Sequence, residues 1–252
     1  IVAEIGNNHE GSYFLAKKLI DEAKKCGVDA VKFQTFIPNL FYSINSEKKR
    51  MDQLNKFCLS FEQFRRLSAY ARKKNLIFFS TPLDNQSAEF LKNIQSIFKI
   101  ASSDNNYFKF IEKIANYNKD IIVSTGLSDI KLLKKIEKIV LKIWKKRKIK
   151  KNLIFTHCVS SYPTNFEHSN IGAIKTLQKK FPKRIIGYSD HTIGIDACLI
   201  AATLGAKVIE KHFTIDNNYS RFRDHKLSAN PKQMKILVER IRYLDKMMKL
   251  NA

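Results

Sequence analysis

Two histidines each follow a short apolar run: His191 in GYSDHT (187–192) and His212 in EKHF (210–213), 21 positions apart. Two lysines stand inside similar runs, Lys32 in AVKFQ and Lys99 in IFKIA. Two imidazoles without cysteine suit a divalent ion that keeps several water or substrate oxygens, such as Mn²⁺, Co²⁺ or Mg²⁺. The competing reading is a pair of hydrogen-bonded core histidines, and residue types alone leave the two level. His157 and His225 are weaker third ligands. Lysine is seldom buried without a partner, so Lys32 and Lys99 need an anion nearby. Either they pair with carboxylates such as Glu4 and Glu210, or they bind a charged ligand. Two lysines on one rim with Ser102 and Ser124 favour phosphate.

These residues act together only if the fold gathers them. Eight apolar runs predict strands over 1–5, 29–34, 76–80, 97–101, 120–125, 152–157, 184–189 and 206–213, with amphipathic helical patterns between them. Eight such units in 252 residues match a closed parallel (β/α)8 barrel, a TIM barrel, forming a single domain over 1–252. Strands this uniformly apolar belong to a sheet covered by helices. An open doubly wound sheet is the competitor, but it seldom uses eight units in strict succession.

A barrel brings the C-terminal ends of its strands to one mouth. The polar tips there are Glu4, Lys32, Gln34, Ser80, Thr81, Asp84, Lys99, Ser102, Ser124, Thr125, His157, Ser189, Asp190, His191, Glu210 and His212. Strand faces alternate, so Lys32 and Gln34 point the same way, as do Glu210 and His212. The connection over 35–59 exceeds an ordinary loop and is a candidate wall or lid over that mouth.

The formal net charge of +23 raises the question of nucleic acid. Its densest run, 134–151, carries Ile136, Ile139, Val140, Ile143 and Trp144 at helical spacing, so its lysines form a solvated helix face. Lysine outnumbers arginine 36 to 10, a usage that needs no nucleic-acid partner to explain it. A basic surface still draws in anionic substrates. No apolar stretch approaches the length of a membrane span, and no positive-then-apolar leader opens the chain. The sequence begins directly on a core strand, IVAEIG, so the first residues of the natural protein are expected to be missing. Four cysteines without CxxC spacing are expected to be reduced thiols of a cytoplasmic protein.

The ordered motifs AEIGNNHEGS, VKFQTF, STPLD, FKIASSD, STG, HCVSSYPT, GYSDHT, GAKVIEKHFT and DHKLS resemble the synthases that make sialic and related nonulosonic acids, in particular the barrel domain of N-acetylneuraminate synthase. The resemblance covers nearly the whole chain. It implies condensation of phosphoenolpyruvate with an N-acyl mannosamine-type sugar aldehyde, with release of phosphate. Carried over motif by motif, it implies that His191 and His212 hold a divalent metal, with Mn²⁺ first. Lys32, Thr81, Lys99, Ser102, Ser124 and Ser189 would cradle phosphoenolpyruvate, while Glu4, Gln34, Tyr162 and Asp224 would meet the sugar or the reacting centre. Glu4 is the first candidate to move the proton and Asp104 the second. Asp104 stands where the family usually carries Glu after a Ser-Gly pair.

Two departures matter. The family commonly continues into a small antifreeze-like domain that supplies an arginine to a partner's sugar site, which is its reason for a homodimer. This chain stops at Ala252, so it is expected to be a fragment or to find its arginine elsewhere. RFRDH (221–225) replaces the usual Gly-Pro before the aspartate, which makes Arg221 or Arg223 the candidate substitute. The rival readings are a Schiff-base aldolase using Lys99 or Lys32, and a catalytically inactive sugar-phosphate-binding barrel. The sequence does not distinguish N-acetylmannosamine from 6-deoxy diacetamido hexoses as acceptor.

Overall fold

The computed structural model describes residues 1–42 and 48–248; positions 43–47, within the long connection, and 249–252 lie outside the described residues. The strands are β1 (Val2–Gly6), β2 (Ala30–Thr35), β3 (Ile77–Pro82), β4 (Ile97–Ile100), β5 (Asp120–Ser124), β6 (Leu153–Cys158), β7 (Ile185–Asp190) and β8 (Ile209–His212). The helices are α1 (Tyr13–Lys25), α2 (Pro38–Phe41), α3 (Lys48–Phe57), α4 (Phe61–Lys73), α5 (Asn85–Leu91), α6 (Phe108–Ala115), α7 (Ile130–Lys146), α8 (Ala173–Lys180), α9 (Asp196–Thr203), α10 (Arg223–Leu227) and α11 (Pro231–Met247).

Every strand pairs parallel with its neighbour, in the order β3-β2-β1-β8-β7-β6-β5-β4. The pairing of β1 with β8 wraps the sheet into a nearly closed TIM barrel. One seam, between β3 and β4, lacks a backbone ladder. There the side chain of Gln95, just ahead of β4, accepts from Ser80 N at 2.7 Å and donates to Ser80 O at 3.2 Å. One amide thus satisfies a buried donor and acceptor that would otherwise be orphaned. The last strand begins later than its apolar run, at Ile209 instead of 206. Beside it, a Cβ on Gly187 would lie 2.6 Å from Val208 O, so only glycine lets the two chains pass this closely.

Inside the barrel, side chains are layered by the two-residue strand period. Val2, Ala30, Phe79, Ile122 and Ile154 form an apolar plug, with Ile97 and Val208 packed against it. Two positions further along these chains stand Glu4, Lys32, Thr81, Lys99, Ser124, Thr156 and Glu210, all buried. The opposite strand faces, with Ile5, Phe33, Phe98, Val123 and Phe155 among them, pack against the helices in the main core. The lysine-rich run behaves as its spacing requires: Leu133, Ile136, Val140 and Trp144 of α7 are buried and its lysines face outward. Asn230 and Gln233 form a capping box at the start of α11, with Pro231 in its first turn.

The four cysteines are free. Among the described residues, no helix is long and apolar enough to cross a membrane.

Gln95→Met should open the β3–β4 seam by leaving Ser80 N–H and C=O unpaired at nearly unchanged side-chain volume. The expected cost is about 1–3 kcal/mol, read as a lower urea midpoint with an unchanged m-value.

Candidate active site

A cavity of ≈ 270 Å³ lies at the C-terminal mouth of the barrel, and all eight strands contribute to its lining. Its floor is a buried chain of charges. The Lys32 ammonium lies 2.8 Å from Glu4 and 3.5 Å from Glu210, and Lys99 lies 2.7 Å from the other oxygen of Glu210. Ser189 donates to Glu210 at 2.8 Å, and Lys32 donates to Thr81 at 3.3 Å. The sequence posed carboxylate pairing and ligand binding as alternatives. In the structure both lysines are paired, and the pairs face the cavity.

Burial works against the charges of both Lys32 and Glu210. The neighbouring carboxylates outweigh it at Lys32 and raise its pKa, while Lys32 and Lys99 hold the Glu210 carboxyl well below its usual range. Burial wins at Glu4: its pKa is raised despite Lys32, so this carboxyl keeps a proton more readily than an ordinary glutamate. One of its oxygens, Oε2, has no hydrogen-bond partner. Gln34 donates to the other at 3.2 Å and accepts from Asn7 at 3.0 Å.

Hydroxyls gather on the β4–β6 side. Ser124 Oγ lies 3.3 Å from Thr156 Oγ1, and Ser102 Oγ is buried without a partner. A Cβ on Gly126 would lie 2.6 Å from Ser102 Oγ and 2.5 Å from Ser160 Oγ, so the loop after β5 is drawn tightly onto these two hydroxyls. Sequence reasoning passed over Ser160 and Asn7. The only signals were their places inside HCVSSYPT and AEIGNNHEGS.

His191 and His212 meet across the β7–β8 edge with ring centroids 5.3 Å apart. His191 Nδ1 donates to Val159 O at 2.7 Å, which leaves Nε2 as the ring's lone-pair nitrogen. Burial lowers the pKa of His191 to about 4 and that of His212 well below its usual value, so both imidazoles are neutral near pH 7. His212 Nδ1 is buried and unpartnered, 3.9 Å from Asp224 Oδ2. Among the described residues, no group of three or more His, Cys, Asp or Glu side chains is arranged as a metal cluster. Two neutral imidazoles therefore fit a cation whose other ligands are water or substrate oxygens. The Tyr162 ring lies 4.0 Å from the His191 ring, tilted by 32°.

Behind the histidines, on the strands' outward faces, Asp190 and Lys211 form a fully buried ion pair at 2.7 Å. Asp190 also accepts from Tyr188 OH, Thr192 N and Thr192 Oγ1. Its carboxylate is thus turned away from the cavity and fixes the turn that carries His191.

Other expected groups also fall outside the cavity. His157 donates to Ser169 O at 2.8 Å, and His225 bonds Thr214 and Glu10, so neither joins the imidazole pair. Ser80 pairs with Thr35, and Asp84 caps α5. Asp104 does not line the cavity. It sits in a single 3₁₀ turn, Ser102–Asp104; at about three residues per turn, a side chain two positions after the inward Ser102 is rotated away.

The connection after β2 supplies a wall, as its length led us to expect. Phe36, Leu54 and Phe57 form a small core with Phe41, Leu83 and Phe222, and Phe57 meets Phe222 edge-on at 4.9 Å. Arg50 of α3 lines the cavity and was not anticipated. Of the two arginines in RFRDH, Arg223 lines it while Arg221 does not. Arg223 lies 4.9 Å over the Tyr162 ring and 3.4 Å from Asp224. Five buried side-chain atoms that lack a hydrogen-bond partner surround this one space: Glu4 Oε2, Asn7 Oδ1, Ser102 Oγ, His212 Nδ1 and Asp224 Oδ1, the last of them only ion-paired with Arg223. Buried polar atoms are rarely left unpaired, so their convergence marks a site shaped for a polar ligand.

Comparisons with known proteins show the family. A family model described as the NeuB family matches residues 19–251. The chain is 38% identical to N,N'-diacetyllegionaminic acid synthase of Campylobacter jejuni, over 98% of this chain and 77% of that protein. It is 32% identical to the mouse N-acetylneuraminate-9-phosphate synthase, over 98% of this chain and 70% of that protein. A crystal structure of N-acetylneuraminic acid synthetase from Leptospira borgpetersenii, in complex with citrate, superposes with a TM-score of 0.90 at 35% identity. That match covers 100% of this chain and 86% of the other.

Asp104 gives a pH signature that is separate from catalysis. Burial pushes its carboxyl up to about 6, against the hydrogen bond from Ser103, so ionising it costs stability in the folded state. Asp104→Asn should therefore be more stable than the parent protein at pH 8. That advantage should shrink as pH falls through 6 toward the ordinary aspartate value, as followed by urea unfolding across pH.

Proposed function

The chain belongs to the NeuB family, and on that premise we propose that it condenses phosphoenolpyruvate with an N-acyl mannosamine-type sugar aldehyde to give a nonulosonic acid and inorganic phosphate. The observation that carries this reading is the convergence of two buried lysines, a row of hydroxyls and two neutral imidazoles on one cavity. Phosphoenolpyruvate brings a phosphate and a carboxylate, and Lys32, Lys99, Thr81, Ser102, Ser124 and Ser189 are the groups that neutralise and orient them. His191 and His212 would hold the divalent cation, Mn²⁺ first and Co²⁺ or Mg²⁺ after it. When bound, that ion supplies Lewis acidity toward the aldehyde oxygen.

Tyr162, Asp224, Gln34 and Asn7 form the acceptor side and hold the open-chain sugar against C3 of phosphoenolpyruvate. As the C3–C1 bond forms, Glu4 gives its proton to the former aldehyde oxygen, which becomes a hydroxyl. C2 is then cation-like, a water adds there, and the Glu4 carboxylate takes the water's proton. The tetrahedral intermediate expels phosphate by C–O cleavage as its C2 hydroxyl becomes the ketone, and that hydroxyl's proton leaves with the phosphate. The raised pKa of Glu4 and its unpartnered Oε2 suit this double duty. Asp104 does not line the cavity, which leaves Glu4 as the acid–base residue of this reading.

The Schiff-base alternative needs a neutral amine. The raised pKa of Lys32 works against it, and Lys99 is held in an ion pair. The inactive-barrel alternative is decided by turnover. Orthophosphate release from phosphoenolpyruvate, measured over a panel of N-acyl mannosamines, 6-phosphates and 6-deoxy diacetamido hexoses, should require one of these sugars and stop with chelator. Release without sugar, trapping by borohydride, or no release with any sugar would each defeat the reading.

Arg223 is the residue proposed to meet the acceptor, from its place over Tyr162 beside Asp224. Arg223→Ala should raise the sugar KM by roughly tenfold, about the worth of one charge-assisted hydrogen bond, and leave the phosphoenolpyruvate KM near its parent value. An unchanged sugar KM removes Arg223 from the acceptor site.

A further inference from the structure

The anion cradle at the cavity floor already contains an anion. Glu210 spends both oxygens on groups read above as phosphoenolpyruvate contacts: Oε2 on Lys99 at 2.7 Å, and Oε1 on Ser189 at 2.8 Å and on Lys32 at 3.5 Å. Ser189 and Glu210 are register partners on β7 and β8, so the strand pairing itself keeps the carboxylate among these donors. Glu210 is only 4% exposed, and little solvent screens it from whatever enters the cavity. Glu4 also lies against Lys32, at 2.8 Å, but in the reaction given above it carries a proton, so Glu210 is the standing negative charge beside the two ammonium groups. Part of the floor's positive charge is therefore already offset before any substrate arrives.

We propose that Glu210 is a resident competitor of the phosphate cradle, holding Lys32, Lys99 and Ser189 aimed at the cavity in the free protein and weakening their grip on phosphate so that the product leaves. The inference rests on the cradle reading given above. Two ammonium groups without Glu210 would present a strong, unbalanced anion trap. With it, an incoming phosphate must share the same donors with a fixed carboxylate and is repelled by it. A cradle for a substrate that ends as free phosphate gains from this, because tight binding of the released product would slow turnover.

A purely structural counter-ion and a competitor differ in the sign of one measurement. The probe is inorganic phosphate, titrated calorimetrically into the full chain without sugar. E210Q keeps the side-chain shape and removes the charge, and should bind phosphate at least tenfold more tightly than the parent protein. Glu210→Asp keeps the charge and should stay within about threefold of the parent. Phosphate affinity that is unchanged or weaker in E210Q overturns the proposal. Should E210Q fail to fold, the charge-balanced pair K99M/E210Q is compared with K99M alone; the double variant should bind phosphate at least tenfold more tightly, and equal affinity overturns the proposal. If the parent protein binds neither phosphate nor phosphoenolpyruvate, the cradle reading falls and the inference with it. If the parent binds both and E210Q gains nothing, only the role of Glu210 falls.

Discussion

Two ammonium groups cannot stand inside a barrel without anions beside them, and the site is built around meeting that demand. A buried charge that loses its partner costs several kcal/mol, typically about 3–5. Lys32 and Lys99 therefore require Glu4 and Glu210 at the same height in the barrel. Strand register provides it: Glu4 is the partner of Lys32 on β2 and of His212 on β8, and Ser189 is the partner of Glu210. A slip of one residue in any of these strands would turn its polar group to the outer face and leave a charge unpaired within the apolar core.

The same alternation separates stability from chemistry along each strand. The apolar plug beneath the charges closes the barrel from below, so a ligand reaches the lysines from the mouth. The outward faces hold the structural polar groups. Asp190 and Lys211 are the clearest case, since each directly precedes a histidine that points inward. A buried ion pair on one side of the sheet thus fixes the chain that presents two imidazoles on the other. The proposed metal and the proposed phosphate cradle are neighbours because β7 and β8 are neighbours.

Above this floor the proposed acceptor side is assembled from loops. Asp224 and Arg223 belong to α10, which is tied down by contacts of residues that do not line the cavity. Glu10 accepts from His225 at 3.1 Å and from Ser220, and Asn8 donates to Phe213 O and to Ser228 Oγ at 2.9 Å each. The loop after β1 therefore holds the loop after β8 in place. Phe57 against Phe222 adds an apolar bond between that loop and the wall after β2. The proposed acceptor contacts Arg50, Arg223 and Asp224 belong to these elements, while the charged floor is set by strands.

Much of this was legible in the sequence because strands are local objects. Apolar runs of four to eight residues mark them, and a period of two fixes which residue shares a face with which. Lys32 with Gln34 and Glu210 with His212 followed from spacing alone, and the barrel gathers them as the strand order requires. What spacing does not contain is the partner. That Lys99 pairs with Glu210 depends on strands β4 and β8 meeting across the barrel interior. Asp190 was expected at the mouth beside His191, but its carboxylate turns outward to the buried Lys211, a partner that spacing does not announce. Asp104 lies off the cavity lining because a single 3₁₀ turn rotates it off the strand period. Asn7, Ser160 and Arg50 went unnoticed because loop residues reach a cavity through packing between distant segments, which no local pattern encodes. The strands, their inward faces and the polar level of the barrel follow from local pattern. The ion pairs, the place of Arg223 rather than Arg221 on the cavity and the wall above them come from contacts between segments far apart along the chain.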